Sequence, residues 1–314
     1  MILNPYILTI FILNGMFLFL GSISFFLSIK IYLGWDIDST TKKQYKLEKQ
    51  SYLASVIIKY IFIIKLFLFL FFIFVLDKLS IVIPGAMCAA GVVNATDYGN
   101  SLFILKLLNI YIFGFWLILY NLNIKNELLP YTKIKYGLFI IAFILLLIEI
   151  ILETTMFLSI DPTKLVDCCG VLYSASSVSY ISYLFTTSPI LLVSLFYINL
   201  FFIIIVYFYK QKEIYSLLST LFLIISIITL IVFFGTYIYE LPTHHCPFCF
   251  LQKDYNYIGY LIYITLYLGT FYGISVAFFK NKNYLNISLF FIIVYTIIVS
   301  YYPISYYLNN GVWL

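Results

Sequence analysis

The chain has 314 residues, 64% of them hydrophobic and 10% charged, with a net charge of +5 and a mean hydropathy of +1.05. Soluble domains carry about 25% charged residues, so this composition excludes a water-facing globule and requires integration in a lipid bilayer. All 18 basic residues are lysines; without a guanidinium fork the charge is a topology signal and not one for nucleic acid.

A membrane-crossing helix needs roughly 20 mostly apolar residues. Eight segments qualify, at residues 6–33, 55–76, 102–120, 137–158, 184–209, 217–239, 258–279 and 287–304. The first has no lysine before it and exceeds a signal-peptide core in length, so it reads as a retained span. The expected fold is all-α: a polytopic transmembrane bundle of about eight spans, with residues 1–314 as one integral membrane domain.

The connecting loops alternate in charge. One set holds Lys42, Lys43, Lys46, Lys49, Lys125, Lys133, Lys135, Lys210, Lys212, Lys280 and Lys282. The other holds only Lys78, Lys164 and Lys253. The positive-inside rule makes the first set cytoplasmic, which puts both termini outside; an even number of spans agrees, since it keeps the termini on one side. An inner (cell) membrane with its poorer loops on the periplasmic face is the matching location. Trp35, Trp116 and Trp313 fall near span ends, where interfacial belts form.

All five cysteines lie in the lysine-poor loops: Cys88, then Cys168 and Cys169, then Cys246 and Cys249. The loops at 77–101, 160–183 and 240–257 therefore form a cysteine-bearing cap on the side where disulfides persist. Neighbouring Cys168 and Cys169 make a strained ring, so Cys88 is the simpler partner for one of them, leaving the other to exchange with the last pair.

His244-His245-Cys246-Pro247-Phe248-Cys249 is the densest reactive stretch. A Cys-x-x-Cys pair can close a reducible disulfide, and a helix starting there lowers the thiolate pKa. The same four side chains, His244, His245, Cys246 and Cys249, also suit zinc or, by their softness, copper(I). The remaining readings are a static disulfide, and histidines that only make local hydrogen bonds or stabilise a neighbouring thiolate. Glu240 is a candidate acceptor for one histidine.

The pair continues into Phe250-Leu251-Gln252-Lys253, with an apolar helix before it and a Tyr-rich helix after it. Residues 233–263 thereby resemble the catalytic hairpin of the DsbB family, membrane enzymes that oxidise periplasmic thiol oxidases and pass the electrons to quinone. The resemblance implies Cys246 and Cys249 as the catalytic pair, with Gln252 and Lys253 beside the quinone. It also implies a periplasmic thioredoxin-like protein as redox partner. The family has four spans, a second cysteine pair after the hairpin, and an arginine at the position of Lys253.

Glu149 and Glu153 lie four residues apart in the fourth span, on one helix face. Intramembrane carboxylates face a cavity, a partner or a proton path. A quinone held between helices or a proton route is the functional expectation, and pairing with Lys59, Lys65 or Lys106 the structural one. No Walker motif, dinucleotide glycine pattern, nucleophile elbow or HExxH is present. The leading expectation is a membrane thiol–disulfide oxidoreductase. The alternatives are a copper- or zinc-binding or transport protein, and the membrane anchor subunit of a larger complex.

Overall fold

A computed structural model describes residues 4–36, 39, 41–126, 128–166, 187–279 and 281–314. These residues form helices and turns, with no strand among them. Among the described residues, eight helices are long and apolar enough to cross a membrane. Cys168 and Cys169, Asp167, Lys280 and the expected start of the fifth span lie outside the described residues.

Contacts cluster into two compact units, Met1–Pro84 with Val92–Lys164, and Gly85–Gly91 with Leu165–Leu314. The first unit carries α1 (Pro5–Gly34), α2 (Lys42–Ser80), α4 (Gly99–Ile124) and α5 (Thr132–Ser159). The short α3 (Ala89–Asn94) precedes α4. Polar caps set the starts: Asn4 accepts the Tyr6 amide ahead of Pro5, and Thr41 accepts the Gln44 amide. Helix α2 begins well before its apolar stretch, so Lys42, Lys43, Lys46 and Lys49 extend a helix and do not form a loop.

Lipid tails are as apolar as leucine, so helices in a bilayer are held by packing and by buried polar contacts. In the first unit Phe62 stacks on Phe113 at 4.3 Å and meets Trp116 edge-on at 5.3 Å. Trp116 is therefore not the interfacial residue expected from the sequence. It is fully buried, and its indole donates to the Lys135 carbonyl at 2.9 Å. Lys135 is buried too, its ammonium donating to Ser55 Oγ at 2.9 Å. Tyr136 adds hydroxyl contacts to Ser51 and Ser55. These bonds pin the start of α5 to α2.

The second unit carries α6 (Pro189–Tyr209), α7 (Lys212–Thr229), α8 (Gly235–Tyr239), α9 (Ile258–Phe279) and α10 (Lys282–Asn310). Helices α7 and α8 are one continuous rod, joined by a π-helical turn at Leu230–Phe234. Small residues bring α7, α9 and α10 together. Gly273 lies against Ser219 and Ser288, and Ser288 Oγ donates to the Gly269 carbonyl at 2.7 Å while accepting from Tyr215 at 3.0 Å. Helix α10 runs through Pro303 and ends at Gly311, whose φ of 72° is the left-handed cap that favours glycine.

Candidate functional site

Two polar clusters stand out, one in each unit. The second unit holds the cysteines. The rod of α7 and α8 stops at Glu240, an exposed residue in the left-handed conformation (φ 54°). The chain then turns back through the two histidines into a 3₁₀ turn at Cys249–Leu251. Tyr239 anchors this return: its hydroxyl donates to the Cys246 carbonyl and accepts the Phe250 amide at 3.0 Å. Tyr263 on α9 donates to the Pro247 carbonyl at 2.7 Å. Gly259 at the start of α9 leaves space for the Phe250 ring and carbonyl, which a Cβ there would strike.

The segment Gly85–Gly91 belongs to this same unit. Gly85 turns it with φ +85°, against the Val166 carbonyl. Gln252 then ties it down, donating its amide to the Met87 carbonyl at 3.2 Å. Cys88 is thereby delivered to the Cys-x-x-Cys loop. Its sulfur lies 3.5 Å from that of Cys246, and the sulfurs of Cys88, Cys246 and Cys249 all lie within 4.8 Å of one another. All three are buried thiols, with 1%, 1% and 6% exposure, and no disulfide joins them.

The trio unites three members of the expected redox set, with Cys88 beside Cys246, while Cys168 and Cys169, the expected partners of Cys88, lie outside the described residues. Gln252, implied to face a quinone, holds the Cys88 segment. Lys253 is exposed in the next 3₁₀ turn. The next span helix starts at Ile258, where the sequence places it, so its N-terminus does not lie at the pair itself. In place of its dipole, the Phe248 amide donates to Cys246 Sγ at 3.5 Å. The histidines are outside the mutual cluster. His245 Nδ1 donates to the Ile231 carbonyl at 3.1 Å, a group in the π-turn. Burial is the main reason its pKa lies below the ordinary value of 6.5, with the Ile231 contact opposing. His244 packs edge-on against Tyr239 at 4.3 Å, and its Nε2 is buried without a hydrogen-bond partner among the described residues.

No protein-family model, curated protein or solved structure matches the chain.

The first unit encloses a ring of charge drawn from all four of its long helices. Lys65 on α2 donates to Glu149 Oε1 at 3.1 Å and to Asn14 Oδ1 at 3.0 Å. Asn14 on α1 donates to Glu153 Oε2 at 2.7 Å. Lys106 on α4 closes the ring, 2.9 Å from Glu149 Oε1 and 2.9 Å from Glu153 Oε1. Asn109 donates to Glu149 Oε2 at 2.6 Å. Every member is at most 5% exposed. Two ammonium groups thus face two carboxylates, which an apolar bundle tolerates only when paired and hydrogen-bonded. Lys59 takes no part and lies over the Tyr60 and Tyr120 rings, 5.6 Å from each centroid. A crevice between α2 and α4 reaches Lys65, Lys106 and Glu149. Asn14 and Asn109 were not singled out in the sequence; the available signal was a lone amide inside an apolar span.

Proposed function

We propose that the chain is a membrane thiol–disulfide oxidoreductase centred on Cys88, Cys246 and Cys249. The observation that carries this reading is three buried sulfurs within 4.8 Å, contributed by two segments far apart in the chain. Exchange requires a thiolate in line with a disulfide sulfur, and Cys88 stands 3.5 Å from Cys246.

The oxidised trio holds one disulfide and one thiol. Starting from a Cys246–Cys249 bond, the Cys88 thiolate attacks Cys246 Sγ. The Cys88–Cys246 bond forms, the Cys246–Cys249 bond breaks, and Cys249 leaves as the thiolate. The disulfide moves with no net oxidation. A dithiol on a thioredoxin-like protein then reduces the trio through a mixed disulfide, so the partner becomes oxidised. A quinone reoxidises the trio, taking two electrons and two protons to give the quinol. The Phe248 amide at Cys246 Sγ supports thiolate there.

The lysine distribution supports an inner membrane, with the trio on the periplasmic face and both termini outside. Exposed Lys253 remains the proposed neighbour of the quinone headgroup. The four-helix charge ring is consumed by its own contacts, and no redox step is assigned to Glu149 or Glu153.

The test is oxidation of the purified, reduced protein with a soluble short-chain quinone, followed by mass spectrometry of non-reduced digests. The expected result is one disulfide among Cys88, Cys246 and Cys249 per molecule of quinol formed. A trio that stays reduced in excess quinone would overturn the proposal.

A further inference from the structure

We infer that the same three sulfurs, when all are reduced, form a binding site for a soft monovalent cation of the copper(I) class. This goes beyond the redox reading and does not depend on turnover. With metal–sulfur bonds of about 2.3 Å, three sulfurs arranged in a plane around one ion stand about 4.0 Å apart. The trio brackets that spacing, from 3.5 Å between Cys88 and Cys246 to an upper bound of 4.8 Å. An ion enters with sulfur movements of about half an ångström, within reach of χ1 adjustments on loop residues.

The donor set selects the ion. Three thiolates are soft ligands, which favour copper(I), zinc or iron–sulfur clusters. Zinc in structural sites takes four ligands, and among the described residues neither histidine nor any carboxylate joins the three sulfurs. Burial of all three cysteines keeps bulk water from supplying the fourth. Copper(I) is stable with three sulfur donors. Each sulfur that binds as thiolate releases one proton, and no electron moves. The Phe248 amide at Cys246 Sγ offsets part of the remaining negative charge. Gln252, by holding Met87, keeps Cys88 in place before the ion arrives. The bound ion and the disulfide are exclusive states of one trio, so the metal would hold the centre reduced.

The experiment uses the full chain, reduced and in detergent, titrated anaerobically with copper(I) chloride in acetonitrile against a chromogenic copper(I) chelator. X-ray absorption follows on the loaded protein. One copper per chain with three sulfur neighbours is expected. Cys88→Ser and Cys249→Ser should each weaken binding at least tenfold while His244→Ala leaves it unchanged. Circular dichroism and gel filtration confirm that each variant is folded. Copper binding that survives Cys88→Ser in folded protein, or a site that prefers zinc and requires His244, would overturn the inference. So would wild-type protein that takes up no copper. Failure here leaves quinone-driven disulfide formation as a separate readout, and copper binding by a trio that quinone cannot oxidise would sink only the redox proposal.

Discussion

The Gln252 side chain donates to the carbonyl of Met87, 165 residues earlier and next to Cys88. One partly exposed hydrogen bond thus holds two loops at the distance that makes three cysteines a cluster. Its net worth is about 1 kcal/mol. Gln252→Ala is therefore expected to lower the docked population of the Cys88 segment by roughly fivefold relative to the undocked one. A short bifunctional thiol reagent should join Cys88 to Cys246 several times more slowly in the variant, with the Cys246–Cys249 product unchanged. An unaltered ratio of the two products would show that packing alone places Cys88.

Tyr239 supports the other side of the cluster. Its hydroxyl accepts the buried Phe250 amide and donates to the Cys246 carbonyl. Tyr239→Phe keeps the ring packing against His244 and Phe250 but strands two buried backbone groups. Leaving a buried polar group without a partner costs about 1–3 kcal/mol. The expected outcome is a local loosening at residues 246–250, read as faster amide exchange there. Exchange in α10 should be unchanged.

Long apolar runs made the eight spans legible, because a bilayer leaves few alternatives to a helix of the right length. Boundaries moved where polar residues prolong a helix, as at 42–54 of α2. Trp116 misled because its distance from the span end says nothing about which face it occupies; the α4 surface it lies on is covered by Phe62 and Lys135. Cys246 and Cys249 were visible through their spacing. Cys88 was placed on the same lysine-poor side as the pair, but its position directly beside Cys246 is a contact over 158 residues that nothing local encodes. Likewise Lys65 and Lys106 could be named as partners for the glutamates, but Asn14 and Asn109 carry no charge and stood out only as amides in lipid-length helices.

His245 gives the cysteine loop a pH dependence. Burial holds its pKa below 6.5, so the folded loop resists protonation that the unfolded loop accepts. Above pH 6.5 both states are neutral and the full contribution to stability is present. As pH falls below that value the unfolded state takes up the proton first, and stability is lost until the folded residue also titrates. The loop should therefore be more sensitive to limited proteolysis at pH 5.5 than at pH 7.5, by a margin reduced by solvent screening at this half-buried site. In His245→Gln, which does not titrate, the difference between the two pH values should shrink. A pH response of the same size in the variant would place the titrating group elsewhere.

The charge ring makes the sharpest stability prediction, because its members are buried and balanced. Lys106 serves both glutamates. In Lys106→Met, Glu149 keeps Lys65 and Asn109, whereas Glu153 keeps only Asn14. Removing one partner of a buried pair typically costs about 3–5 kcal/mol, since the remaining charge stays desolvated. Lys106→Met should therefore lower stability in detergent by about that amount. Adding Glu153→Gln restores the balance of one cation and one anion and leaves an amide that Asn14 can still bond. The double variant is expected to recover at least half of the loss, giving a coupling energy of about 1–3 kcal/mol in the cycle. Lys59→Met, by contrast, should cost little, because Lys59 stands outside the ring. Chemical unfolding of the four proteins in one detergent measures the cycle, and additive losses at positions 106 and 153 would show that the ring does not act as a unit.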